Sequence, residues 1–205
     1  MALVTISAAY GALGAEVGQA VATALDVPFL DRAIPLEVAE RLAVPLADAE
    51  SRDAVQPGFL ERLLGTFMTI GGLYGGESVE VAKIPDDPAF RTATEEIIRR
   101  YAASGSSVIL GRAGMLVLAD HPNVLRVRLT GPLEARIAQA AQAYGLTREQ
   151  ARDQERDNDG PRAAWIRRFY GRDVTDPSLY DLVVDSTRFR IEHCVALIVD
   201  AARAV

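Results

Sequence analysis

Residues 3–18, LVTISAAYGALGAEVG, constrain the fold more than any other stretch. Leu3 to Ile6 is an apolar run with β-branched residues, the pattern of a buried parallel strand. It leads through a small-residue turn containing Gly11 and Gly14 into an amphipathic run, Ala15 to Leu25. Strand, glycine turn and helix start together predict a loop whose backbone N–H groups add to the unpaired donors and positive dipole end of a helix. Such a place suits phosphate.

The full phosphate-loop pattern asks for GxxxxGK followed by Ser or Thr. This chain has Gly14-Ala15-Glu16, so the lysine and the metal-holding hydroxyl are both missing. Glycine turns between strand and helix also occur in α/β proteins that bind no phosphate. Glu16 in the first turn is open to two readings: a carboxylate beside phosphates, holding magnesium through water, or a charge that merely complements the helix dipole.

The rest of the chain repeats the alternation. Asp26 to Arg32 reads as a turn, a very short strand and a polar end, placing Asp31 and Arg32 where the strands of a parallel sheet meet a ligand crevice. The alternative is a surface ion pair, or a cap for a helix over 34–42. Between Val44 and Val55 the chain is polar and acidic, and a helical pattern over 58–70 carries Leu60, Leu63, Leu64, Phe67 and Met68 on one side. Gly71-Gly72 and Gly75-Gly76 end it, which predicts an arm, with a dimer contact as the competing explanation for its apolar face.

Asp87-Pro88 opens a helix expected to reach Ala103. Ser107 to Leu110 is a buried strand ending in Gly111-Arg112 at the ligand-facing edge, where a guanidinium can clamp phosphate with two parallel hydrogen bonds. A strand over 123–129, a helix over 133–144 and a capping box at Thr147 to Gln150 follow. Arg148, Arg152, Arg156, Arg162, Arg167, Arg168 and Arg172 then crowd into 25 residues. Asp157-Asn158-Asp159-Gly160 predicts a break that divides two helices into a hairpin able to fold over a site. A strand at 182–185 and a helix over 190–204 complete five alternations, which argues for one parallel sheet covered on both faces.

Composition removes several classes. The net charge of −6 argues against general nucleic-acid binding. One cysteine, Cys194, allows no internal disulfide or cysteine metal cluster, and two histidines make a histidine metal site unpromising. With no long apolar run and no leader before the first strand, the expected compartment is the cytoplasm, without a membrane partner. Of 22 basic residues only Lys83 is a lysine, and arginine's planar fork suits phosphate oxygens.

Read together, YGALGAEVGQAVATALDVPFLDR, VILGRAG, NVLRVRLTGPLEARI, ERDNDGPRAAWIRRFYG and YDLVVDST resemble the cytidylate kinase-like family, in order and over nearly the whole chain. The resemblance implies an α/β, P-loop kinase-like fold: a parallel five-stranded sheet flanked by helices, with a helical monophosphate-binding arm and a helical lid. It implies one domain, with core segments 1–43, 88–146 and 180–205, an arm at about 44–87 and a lid-like hairpin at about 147–179. Carried over residue by residue, it implies that Tyr10, Gly11, Ala12, Leu13, Gly14, Ala15 and Glu16 form the ATP-binding loop. Asp31, Arg32, Gly111 and Arg112 would meet the acceptor monophosphate, and Arg112, Arg156 and Arg162 would serve catalysis. Arg152 lies in the same lid-like stretch, and Asp185 is expected to be structural.

The implied activity is phosphoryl transfer from ATP, with Mg2+, to a pyrimidine nucleoside monophosphate such as CMP or dCMP. Many relatives have Ser-Arg-Glu-Tyr-Gly-Ser-Gly-Gly where this chain has Ser7-Ala8-Ala9-Tyr10-Gly11-Ala12-Leu13-Gly14. The loop arginine, the glutamate and one glycine are absent, and Leu13 is a poor residue for a positive φ. The alternative is therefore a catalytically impaired nucleotide-binding or sensing module that keeps the kinase fold, acting as a dimer.

Overall fold

The computed structural model describes residues 2–31 and 88–205. Arg32, the arm expected at 44–87 and its apolar helical face lie outside the described residues.

Five strands form one parallel sheet in the order β2-β3-β1-β4-β5: β1 Leu3–Ala8, β2 Phe29–Leu30, β3 Ser107–Leu110, β4 Val124–Thr130 and β5 Leu182–Asp185. Strand β1 is central, with Ile6 opposite both Leu110 and Val127. All six of its residues are buried, which explains its nearly continuous apolar run. Alternate residues face opposite sides. Val4, Ile6 and Ala8 share one core with α1 (Gly14–Leu25) and α6 (Ile191–Ala204). Leu3 and Ile109 meet Ile97 and Ile98 of α2 (Pro88–Ala103) in the other core, beside the short α3 (Gly114–Val117).

The connection after β1 leads to β2 on one side, whereas β4 lies on the other. A crevice at the carboxyl ends of the strands therefore centres on β1. Two more helices lie after β4: α4 (Leu133–Tyr144) and α5 (Arg148–Tyr170). The box expected at the start of α5 is formed, Thr147 Oγ1 accepting from the Gln150 N–H at 3.2 Å and Gln150 Oε1 from the Thr147 N–H at 2.9 Å.

The expected helical hairpin is corrected. Residues 148–170 form one helix of 23 residues, with Pro161 inside it. The polar run 157–160 continues the helix because Asn158 bonds back within the helix and Asp159 is employed in tertiary contacts rather than in a turn. Asn158 is buried and donates to the Gln154 carbonyl at 2.6 Å, while Asp159 reaches across to the loop after β1. These contacts override turn propensity. On α2, Glu95 and Arg99 one turn apart form an ion pair at 3.0 Å.

Candidate active site

The chain after β1 turns at once. Ala12 N–H donates to the Ala9 carbonyl at 3.0 Å, closing a turn around Tyr10 and Gly11. Gly11 has φ 76°, and Leu13, the residue before α1, sits in the left-handed region at φ 55°, ψ 42°. A leucine there carries a penalty of about 1–2 kcal/mol relative to a right-handed backbone. The loop accepts it because neighbouring elements hold nearly every carbonyl.

Arg162 Nη1 donates to the Ala8 carbonyl at 2.6 Å, and Arg136 Nη1 to the Tyr10 carbonyl at 2.6 Å. Gln139 Nε2 donates to Gly11 at 2.9 Å and Ser186 Oγ to Ala12 at 2.9 Å. The Leu13 carbonyl accepts from Val17 N–H as the helix begins. In a planar trans peptide the N–H points opposite to the carbonyl, and no cis bond occurs among the described residues. The N–H groups of Gly11, Leu13 and Gly14 are consequently aimed away from the side chains and the helix turn that grip the carbonyls. A left-handed residue followed by a helical one makes a nest of successive N–H groups. The first turn of α1 contributes its own donors.

Both glycines of the loop also have packing reasons. A Cβ on Gly11 would lie 2.3 Å from the Arg136 carbonyl oxygen of α4, and one on Gly14 would lie 2.4 Å from Ala8 Cβ. Tyr10 is buried and faces α4 and α5, its hydroxyl donating to Gln154 at 2.6 Å. Burial pushes its pKa up to about 12. It anchors the loop from behind.

Guanidiniums gather at the carboxyl ends of the neighbouring strands. Strand β3 ends in Gly111, Arg112 and Ala113 at φ 72°, 56° and 53°, three successive left-handed residues that turn the chain into α3. Arg112 Nη2 donates to the Asp31 carbonyl at 2.9 Å, and the Asp31 carboxylate stands 3.9 Å away. The turns after β2 and β3 therefore meet, as the edge positions of Asp31, Gly111 and Arg112 suggested. Burial pushes the Arg162 pKa down, the Asp159 carboxylate raises it, Arg112 and Arg128 lower it further, and Asp31 raises it. Arginine stays charged regardless. The Arg162 guanidinium thus lies within the electrostatic reach of Arg112, Arg128, Asp31 and Asp159.

Arg156 is not brought there. Its side chain is 67% exposed and pairs with Asp153 on the same helix. Arg152 likewise pairs with Glu134 at 2.7 Å on the exposed side. Sequence reasoning missed Arg128 and Arg136, both buried. Arg128 donates to Ser7 Oγ at 3.1 Å and lies over the Tyr180 ring. A signal existed in each case: Arg128 alternates with the apolar residues of a buried strand, and Arg136 falls in phase with Ile137 and Ala140 on the buried side of α4. Asp185 accepts from Thr187 N–H at 2.9 Å, a turn-forming role that fits its structural expectation.

This arrangement fits a polyphosphate: inward N–H groups at a helix start, with adjacent guanidiniums able to bind oxygens in pairs. Magnesium usually keeps several waters and is held by one or two carboxylates together with substrate phosphates. Glu16, in the first turn of α1, is the carboxylate at that position, and no group of three or more metal-binding side chains occurs among the described residues. No described helix is long and apolar enough to cross a membrane.

The profile of the cytidylate kinase-like family matches residues 3–188. The chain is 29% identical over 133 residues to a cytidylate kinase of Methanopyrus kandleri, covering 60% of this chain and 69% of that protein. It is 30% identical over 108 residues to a cytidylate kinase of Methanothrix thermoacetophila, covering 52% of this chain and 60% of that protein. Among solved structures, an uncharacterized protein from Eubacterium ventriosum superposes with a TM-score of 0.67 at 14% identity, over 100% of both chains. A shikimate kinase from Bacteroides thetaiotaomicron superposes with a TM-score of 0.52 at 16% identity, over 98% of both. These likenesses carry the fold, a P-loop kinase sheet with flanking helices.

Proposed function

The chain belongs to the cytidylate kinase-like family, and from that premise we propose that it transfers the γ-phosphoryl group of ATP to a pyrimidine nucleoside monophosphate. What supports the reading is the glycine turn of residues 11–15 at the start of α1, with Arg162 on the Ala8 carbonyl just before it and Arg112 on the Asp31 carbonyl of the adjoining turn. Phosphoryl transfer asks for positioning and charge neutralisation more than for covalent chemistry.

In this reading the N–H groups of Gly11, Leu13, Gly14 and Ala15 cradle the donor phosphates. Arg162, held on the Ala8 carbonyl, neutralises the transferred group. Arg112, with Asp31 and Gly111, receives the acceptor phosphate, and Arg32 is assigned there from the family pattern. Glu16, in the first turn of α1, would be the carboxylate to hold magnesium, and the ion would supply charge neutralisation on the phosphates. Losing one preorganised donor costs on the order of 3 kcal/mol, about a hundredfold in rate. That is a fraction of an enzyme's usual acceleration, so the missing loop lysine is compatible with turnover while Arg162 serves the same phosphates.

The second reading, binding without turnover, is favoured by Glu16 standing where the common loop has a hydroxyl. One experiment separates the two. Purified protein is assayed for ATP consumption dependent on CMP or dCMP, in parallel with a thermal-shift screen of nucleotides plus Mg2+. A ligand at about a hundred times its Kd adds about 2.7 kcal/mol, or roughly 5–11 °C in midpoint for a chain of this size. The kinase reading expects monophosphate-dependent turnover that falls about a hundredfold or more in Arg112→Ala and Arg162→Ala and is unchanged in Arg156→Ala. A shift without turnover selects the binding module. Neither turnover nor any shift refutes both.

A further inference from the structure

We infer that Arg136 is a positioning residue for the phosphate nest, setting the direction of the Gly11 N–H and tying the loop to the helix that carries Arg162. The inference rests on the phosphate-binding reading above and adds a residue that touches no phosphate.

Arg136 is 8% exposed on α4 and links three parts of the chain. Its Nε donates to the Gly131 carbonyl at 3.1 Å, fixing the side chain against the turn after β4. Its Nη1 donates both to the Tyr10 carbonyl at 2.6 Å and to Asp159 Oδ2 at 3.0 Å. The other oxygen of Asp159 accepts the Tyr10 N–H at 2.9 Å. The two peptide groups that flank Tyr10 are therefore held by one ion pair, the first through its N–H and the second through its carbonyl. Because the second peptide is planar and trans, gripping its carbonyl aims the Gly11 N–H the opposite way, into the nest. Asp159 is three residues before Arg162 on α5 and lies 3.8 Å from its guanidinium. The pair that orients the loop thus also registers the helix that delivers Arg162 to the Ala8 carbonyl.

A lysine cannot substitute, because the three acceptors lie around a planar fork and an ammonium is a single point. Preorganised supports of this kind act through the groups they hold. Asp159→Asn tests the same pair from its other end: an amide oxygen can still accept from Tyr10, but its NH2 would oppose Arg136, donor against donor. Gln154 is the control, since it touches the Tyr10 hydroxyl and no loop backbone group.

The test measures calorimetric affinity for inorganic tripolyphosphate and for ATP in the wild type, Arg136→Lys, Asp159→Asn and Gln154→Ala. It is read beside thermal midpoints and the 15N shift of the Gly11 amide, whose nitrogen shares its peptide with the carbonyl that Arg136 grips. Expected are a loss of about tenfold or more in affinity for both pair variants, at temperatures where each is folded. A displaced Gly11 resonance in those variants and affinity within about twofold of wild type for Gln154→Ala complete the expectation. Wild-type affinity in Arg136→Lys, or in Asp159→Asn should the lysine variant not fold, overturns the positioning role while leaving phosphate binding intact. A wild type that binds neither probe overturns the phosphate reading itself, and this inference with it.

Discussion

Gly11→Ala separates two reasons for a glycine in the loop, close approach of a ligand and close approach of the protein's own backbone. At φ +76° the new Cβ would lie 2.3 Å from the Arg136 carbonyl oxygen, a group in the middle of the protein's framework that cannot swing aside like the tip of a side chain. Gly145 is the matched comparison: φ +65°, with nothing within 4 Å of its ideal Cβ. Placing alanine at a left-handed position costs about 1–2 kcal/mol, offset by about 0.4–1 kcal/mol from the stiffer unfolded chain. Gly145→Ala is therefore expected to lose roughly 0.5–1 kcal/mol. Gly11→Ala adds an overpacking cost of about 1–3 kcal/mol, giving a loss near 2–4 kcal/mol in all. At about 2–4 °C per kcal/mol for a chain of this size, the midpoint should fall by roughly 4–16 °C against about 1–4 °C for the comparison. Thermal unfolding of the ligand-free protein, followed by far-ultraviolet circular dichroism, measures both. Equal shifts in the two variants would refute the packing argument and return Gly11 to the ligand alone.

The remaining predictions concern pH. Asp181 accepts a two-point contact from Arg126, at 2.6 and 3.0 Å, and this holds its pKa below the usual carboxylate value. A depressed carboxylate contributes stability above its unfolded pKa of about 3.9 and loses it as pH falls through the folded value. Asp181→Asn should flatten the acid limb of a urea-midpoint profile below about pH 4, modestly because the pair is partly solvent-screened. An unchanged acid limb would remove the ion pair from the account. Tyr10, pushed up to about 12 by burial, behaves in the reverse sense: its stabilisation is complete below about pH 10 and declines between there and 12, as the unfolded chain ionises first. Tyr10→Phe should shallow that alkaline decline, and tyrosinate absorbance should lose one late-titrating component. An identical profile in the variant would contradict the burial.

Much of the fold was legible because the alternation of apolar runs and amphipathic stretches is strong. The helix at Leu133–Tyr144 and the strand at Leu182–Asp185 have the bounds that periodicity and punctuation suggested, whereas the short helix at Gly114–Val117 gave no signal and the single helix at Arg148–Tyr170 was read as two. The break at 157–160 misled because its polar residues read as turn formers until their partners are known. Those partners, Tyr10 and Arg136, are 149 and 23 residues away from Asp159. The site was legible where residues follow strands, as with Asp31, Gly111, Arg112 and the loop after β1. It was illegible where a side chain acts from a helix face: in the 148–172 run nothing local separates Arg162, which reaches the loop, from Arg156, which faces solvent. Arg136 and Gln139 were hidden for the same reason, since what they touch is backbone, which has no letter in a sequence.

The side-chain hydrogen bonds that grip the carbonyls of residues 8–12 come from partners 126 to 174 positions away along the chain. Contacts of that span close large loops and form late in folding, after local helices and turns. During synthesis, which delivers the amino-terminal part first, the strand–turn–helix segment leaves the ribosome long before Arg162 or Ser186 exists. Its anion-ready geometry must therefore await the arrival of the carboxy-terminal third, and a nascent chain cut short of Ser186 would carry the motif in letters without its shape.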